Sequence, residues 1–172
     1  QDMVRYYAQC LAKHGHTITP DHVIMGASVY VADSRQQAIK EAGPYMLYFL
    51  HTLFSHGNIA NVQRQMQTGY RREADYDYIR PEHREGFLRA LQGFRQTTLT
   101  DLERSERLAW GTPEQVRDTL IELADTLGAG TLMLNFNQWA MPHELFVPNV
   151  ERFGKEVLPA LQAHQVTTVP LT

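Results

Sequence analysis

Residues 108–136 read LAWGTPEQVRDTLIELADTLGAGTLMLNF, and this stretch decides the fold. Leu108 to Trp110 make a brief apolar run with the character of a strand. Thr112 then stands where a helix N-cap belongs, Pro113 takes the first helical position, and Gln115 completes a T-x-x-Q capping box. Val116, Leu120, Leu123, Ala124 and Leu127 recur at helical spacing, which gives the helix one apolar stripe, and Gly128 supplies its C-terminal stop. Thr131 to Phe136 is a second buried strand. A strand, a capped helix and another strand in immediate succession make a βαβ unit, whose strands lie parallel in one sheet.

On the N-terminal side, His22 to Ala32 is β-branched and mostly apolar without strict alternation, as a strand buried on both faces should be. Val4, Tyr7, Ala8 and Leu11 mark a helix before it, stopped at Gly15, and Thr19 to Asp21 make a turn. After it, Ser34 and Gln37 form an S-x-x-Q box opening a helix with Ala38, Ala42, Tyr45, Met46, Phe49 and Leu53 near one face. Pro44 is expected to kink or divide that helix. Residues 55–104 are less regular: a break at Gly57 and Asn58, a short helix from Ile59 to Met66, a tyrosine-rich charged stretch from Tyr70 to Pro81, and a short helix through Leu88, Leu91 and Phe94. This stretch is too poor in apolar residues to enclose a core, so it reads as an excursion within one domain spanning 1–172. Residues 137–148 read as a turn, and Val150, Phe153, Val157 and Leu161 as a final amphipathic helix. The class is α/β with a parallel sheet.

Composition narrows the function classes. With 43% hydrophobic and 20% charged residues, a chain of 172 can build a sizeable core. No run approaches the roughly 18 apolar residues of a membrane span; Tyr45 to Leu50 is short and meets His51. A formal charge of −3 argues against nucleic acid. Cys10 is the single cysteine, which excludes an intrachain disulfide and a CxxC pair and suits a cytoplasmic location. His14, His16, His22, His51 and His56 join no H-E-x-x-H pattern, so they read as surface histidines rather than metal ligands. The first residue is Gln1 rather than methionine and no signal-like run follows, which fits the C-terminal portion of a larger enzyme.

Two stretches carry a resemblance: VYVADSRQQA at 29–38 and WGTPEQVRDTL at 110–120, the latter followed by LGAGTLML at 127–134, PHE at 142–144 and FGKEVLP at 153–159. In this order and spacing the chain resembles the C-terminal half of the bacterial luciferase-like flavin monooxygenase family. The resemblance implies a partial (β/α)8 TIM barrel with an insertion, in which 23–31, 107–110 and 131–136 are the last three strands. An intact barrel takes about 250 residues or more, so it also implies an upstream half carrying five strands, much of the flavin site and the catalytic groups. The implied reaction uses reduced FMN and O2 to transfer oxygen to a small organic substrate. Alternatives are a deazaflavin coenzyme with hydride transfer, or a non-catalytic partial barrel that binds a partner. The chain alone is expected to be inactive, to hold FMN weakly or not at all, and to self-associate or join the missing half. The full enzyme is expected to be a homo-oligomer.

In a TIM barrel, function collects where strands end at their C-terminal side. That rule selects Asp33 and Ser34, read here as turn and cap, and Trp110, either a wall beside flavin or substrate or a residue packed on a helix. It also selects 135–139. Asn135, Asn137 and Gln138 can hydrogen-bond a substrate or the isoalloxazine edge, while Phe136 and Trp139 exclude water. The alternative is a polar turn whose amides satisfy its own backbone. Arg71 and Arg72 are candidates for an anionic group, although Glu73, Asp75 and Asp77 beside them favour a salt-bridged surface. His143 and Glu144 lie near the same end, but no catalytic residue is identified.

Overall fold

The computed structural model describes residues 2–54, 81–105 and 108–170. Its centre is a parallel sheet of β1 (Ile24–Val31), β2 (Ala109–Gly111) and β3 (Thr131–Asn135), in the spatial order β2-β1-β3. The helices are α1 (Asp2–Lys13), α2 (Arg35–Tyr48), α3 (Pro81–Gln96), α4 (Leu99–Arg104), α5 (Pro113–Leu127), α6 (His143–Glu156) and α7 (Leu158–Ala163). This is an α/β fold whose sheet is not closed into a barrel, as a partial TIM barrel requires. The order differs from three consecutive barrel strands, in which the second in sequence would sit in the middle. Here β2 pairs only with Val29, Tyr30 and Val31, while β3 pairs with Ile24 to Ser28 on the other edge.

Local chemistry accounts for the βαβ unit. Thr112 Oγ1 accepts from the Gln115 amide and Gln115 Oε1 accepts from the Thr112 amide, closing the capping box at the start of α5. Gly128 ends the helix in the left-handed region at φ 66°. Gly111 has φ 144°, where any L side chain is strained, and a Cβ there would also press on the Gln115 side chain that closes the cap. Ser34 caps α2 by accepting from the Gln37 amide at 3.1 Å, although the Gln37 side chain turns to Glu41 and leaves the box half made.

Several expectations are corrected. Pro44 does not divide the helix, which runs as α2 from Arg35 to Tyr48, and the winding changes beyond it in a π-helical turn at Phe49–Phe54. The helix through Leu91 and Phe94 is 16 residues long and is followed by α4, opened by a Thr98–Asp101 box. Helix α6 begins at His143 instead of about 149, because Pro148 sits within it rather than ending a turn. β1 is buried on both faces only towards its C-terminal end; Ile24 and Gly26 are exposed. The segment 59–66 lies outside the described residues.

Two cores flank the sheet. On one face, Met25, Val29, Val31 and Ala109 join Val116 and Leu120 of α5, Phe153 of α6, and Val157. On the other, Tyr30 and Trp110 meet Ala38, Ile39, Ala42 and Met46 of α2 with Leu102 of α4. This second core covers only the C-terminal end of its face. Ile24 and Met133 beyond it are 66% and 69% exposed, and their register partners Thr131 and Gly26 are exposed too.

Two side chains tie segments by their backbones. Asn149 of α6 accepts from the Val31 amide at 2.8 Å and donates to the Val29 carbonyl at 3.4 Å, continuing the β1 edge beyond the end of β3. The Arg35 guanidinium donates to the carbonyls of Leu102, Glu103 and Ser105 at the end of α4, and to those of Leu108 and Trp110 in and before β2.

Candidate functional site

β1 and β2 end together at Val31 and Gly111, β3 ends at Asn135 opposite Ser28, and the predicted residues fall at or just beyond these strand ends. Trp110 is fully enclosed. Its indole N–H donates to Ser28 Oγ at 3.0 Å, and its ring meets Tyr30 edge-on at 6.3 Å. Ser28 is the register partner of Asn135, so Trp110 and Asn135 converge on one point of β1. Trp110 shows no face to solvent and shares a core with Ala38, Ile39, Ala42 and Met46 of α2.

The turn after β3 divides into parts. Phe136 turns into the core, edge-on to Phe153 at 4.8 Å. Asn135 Oδ1 accepts from the Asn137 amide at 3.1 Å, and both residues are exposed. Gln138 is completely buried. Its Nε2 donates to the Asn135 carbonyl at 3.5 Å, whereas its Oε1 is buried without a partner. Trp139 is 56% exposed, lies parallel to Phe49 at 4.7 Å and has φ 66°. Among the described residues it alone, apart from glycines, has a positive φ. Helix α6 begins four residues later under Pro142, which offers no side-chain cap. His143 and Glu144 are exposed in its first turn.

Asp33 and Ser34 act as structure. Partial burial alone would lower the pKa of Arg152, but its Nη1 bond to Asp33 at 2.7 Å together with Glu156 raises the guanidinium overall. Ser34 caps α2. Arg71, Arg72 and His56 lie outside the described residues. His22 accepts from the Thr19 amide at 3.0 Å, and His51 donates to the Thr97 carbonyl at 2.7 Å. Among the described residues no three His, Cys, Asp or Glu side chains are grouped to hold a metal ion, and no helix is long and apolar enough to cross a membrane.

A groove of about 1330 Å³ lies elsewhere, lined by Arg5, Met25, Gly26, Arg35, Asp118 and Glu122 among others. It borders the stretch of β1 beside which β2 has not yet begun, and none of 135–139 lines it. Its lining mixes Arg5 and Arg35 with Asp118 and Glu122, and it opens to solvent.

Sequence alone did not single out Ser28, Tyr30, Glu41 or Asn149. Each is an ordinary strand or helix residue until tertiary packing brings its partner. The spacing places Phe49 on an apolar helix face, and nothing local indicates its contact with Trp139.

No curated protein matches the chain. The crystal structure of monooxygenase RslO1 from Streptomyces bottropensis has a similar fold, with a TM-score of 0.50 and 18% identity over 93% of this chain. The chain spans 38% of the length of that protein. The sequence profile described as luciferase-like monooxygenase matches residues 1–130, which takes in β1, β2 and α5 and stops before β3 and the 135–139 turn. That match covers well over half of the 172 residues, and the chain belongs to the luciferase-like monooxygenase family.

Proposed function

We propose that this chain is the C-terminal part of a flavin-dependent monooxygenase, and that the turn at 135–139 lines the pocket of the complete enzyme. The family match carries the reading. The half-bare sheet supports it, because parallel strands in α/β proteins are covered on both faces, and Ile24, Gly26, Thr131 and Met133 form a strip suited to a barrel interior.

The turn has the chemistry for one side of a flavin or an adjoining substrate. Asn135 and Asn137 offer exposed amides, Trp139 a half-open indole, and Gln138 an unpartnered carbonyl. A bound reduced flavin would supply the electrons for activating O2. The chain's own part is to orient the ligand through these amides and to exclude water with Trp139. Trp110 supports the turn from within the fold through Ser28, the neighbour of Asn135. Arg71 and Arg72, candidates for an anionic group set against a salt-bridged surface, have no part in this reading.

The test is substrate-dependent oxidation of reduced FMN by the full-length protein, followed with product formation and thermal unfolding. Trp139→Ala is expected to weaken substrate affinity or coupling more than folding. Asn135→Ala is expected to cost about 1–3 kcal/mol of binding if its partner is left buried and unpaired. Wild-type yield and substrate dependence in both variants, with only stability altered, would make the turn structural. Turnover with a reduced deazaflavin and none with reduced FMN would replace oxygen transfer with hydride transfer.

A further inference from the structure

We propose that Gln138 is the recognition residue of this pocket: its side-chain carbonyl accepts a hydrogen bond from an N–H on the edge of a planar conjugated ligand that lies against Trp139. The inference rests on the reading of 135–139 as pocket lining and adds the ligand's chemistry. Gln138 Oε1 is the one buried side-chain oxygen or nitrogen without a partner among the described residues. Buried polar groups are nearly always satisfied, so an orphan acceptor in a fully enclosed residue requires an explanation. Turning the amide over does not supply one. It would bring Oε1 against the Asn135 carbonyl and leave Nε2 as the orphan, so the weak bond to Asn135 at 3.5 Å fixes the carbonyl outward from it.

The missing partner is therefore a donor, and the neighbouring residue indicates its shape. Trp139 lies parallel to Phe49 at 4.7 Å, too close for another ring to enter between them. Yet Trp139 is 56% exposed and retains surface for a ring to stack. Trp139 also has φ 66°, a backbone region unfavourable to a bulky residue. Strain at Trp139 and an unmet acceptor at Gln138 are adjacent in the chain, and together they mark a turn held short of its most comfortable state. The 138–139 step must move to admit the ligand to the enclosed Gln138, and the ligand's donor then satisfies the orphan oxygen.

A flavin ring, through its imide N–H, or an N–H-bearing aromatic substrate can provide this chemistry. Two probe pairs separate them in the full-length protein: FMN with N3-methyl-FMN, and indole with 1-methylindole. Dissociation constants are measured by fluorescence for wild type, Gln138→Leu and Gln138→Glu. In one pair, the N–H member should bind wild type about tenfold more tightly than its methylated partner. Gln138→Leu should abolish that preference and leave Tm unchanged or higher, since it removes an unsatisfied acceptor; Gln138→Glu should retain the preference. Discrimination within the flavin pair assigns the contact to flavin, and discrimination within the indole pair assigns it to substrate. No discrimination by wild type in either pair, or discrimination that survives Gln138→Leu, overturns the proposal. If Gln138→Leu does not fold, Gln138→Met gives the same comparison. Normal oxidation of reduced FMN without N–H discrimination would defeat this inference alone; N–H discrimination without any oxidation would defeat the proposed activity alone.

Discussion

Tyr30 shows how much of the molecule rests on a contact that no local pattern announces. Its ring is 3% exposed, its hydroxyl donates to Glu41 Oε2 at 2.9 Å, and Glu41 Oε1 accepts from Gln37 at 2.9 Å. Burial first, and then the Glu41 carboxylate, raise the phenol well above its ordinary range. The folded state therefore favours the protonated phenol. The stability this contributes is fully present below the unfolded value of about 10 and is lost as pH rises beyond it. Urea midpoints should fall above about pH 10 in wild type and fall less in Tyr30→Phe. At neutral pH the variant should lose about 1–2 kcal/mol. Parallel pH profiles for the two proteins would show that the buried hydroxyl does not govern the alkaline limb. In the sequence, Tyr30 is one aromatic in an apolar run, and Glu41 stands eleven positions away on a different element. Only the seating of α2 on β1 joins them. Trp110 illustrates the same limit: position could place an indole at the strand end, but its enclosure comes from the edge-on Tyr30 ring and the core both share with Ala38 and Met141.

Elements were legible where their ends are written in short-range chemistry. Thr112, Pro113, Gln115 and Gly128 locate α5 because caps and a left-handed stop act within a few residues. Helix α6 was misplaced for the opposite reason. Pro148 reads as the close of a turn, yet it forfeits one backbone donor inside a helix held by Phe153 in the core. That error hid Asn149, whose amide substitutes for a neighbouring strand at Val29 and Val31. Asn149→Ala should cost about 1–3 kcal/mol, because it leaves the Val31 amide buried without an acceptor. Asn149→Asp should recover part of the loss by keeping that acceptor. Urea unfolding gives the magnitude and hydrogen exchange at Val31 gives the location. Unchanged exchange in Asn149→Ala would show that β1 keeps its edge by other means.

At the scale of the whole molecule, sequence disclosed the class and the parallel pairing but not the strand order. Apolar runs identify strands, whereas spatial neighbours depend on how far each runs beside β1, and β2 extends for only three residues. The bare strip around Ile24 and Met133 was hidden likewise, because an apolar strand looks the same whether or not its second face is covered. We expect this strip to drive association of the isolated chain. Sedimentation at micromolar concentration should give a mass above the 19.7 kDa monomer, and Ile24→Lys combined with Met133→Lys should reduce it. A monodisperse wild-type monomer would refute this. Across the same fold, Arg35 grips the chain that leads into β2 by main-chain oxygens alone. Such an anchor recognises a path and is indifferent to the side chains along it. Substitution at Glu103, Ser105 or Leu108 keeps the carbonyls that Arg35 holds, whereas loss of the Arg35 guanidinium releases five carbonyls at once.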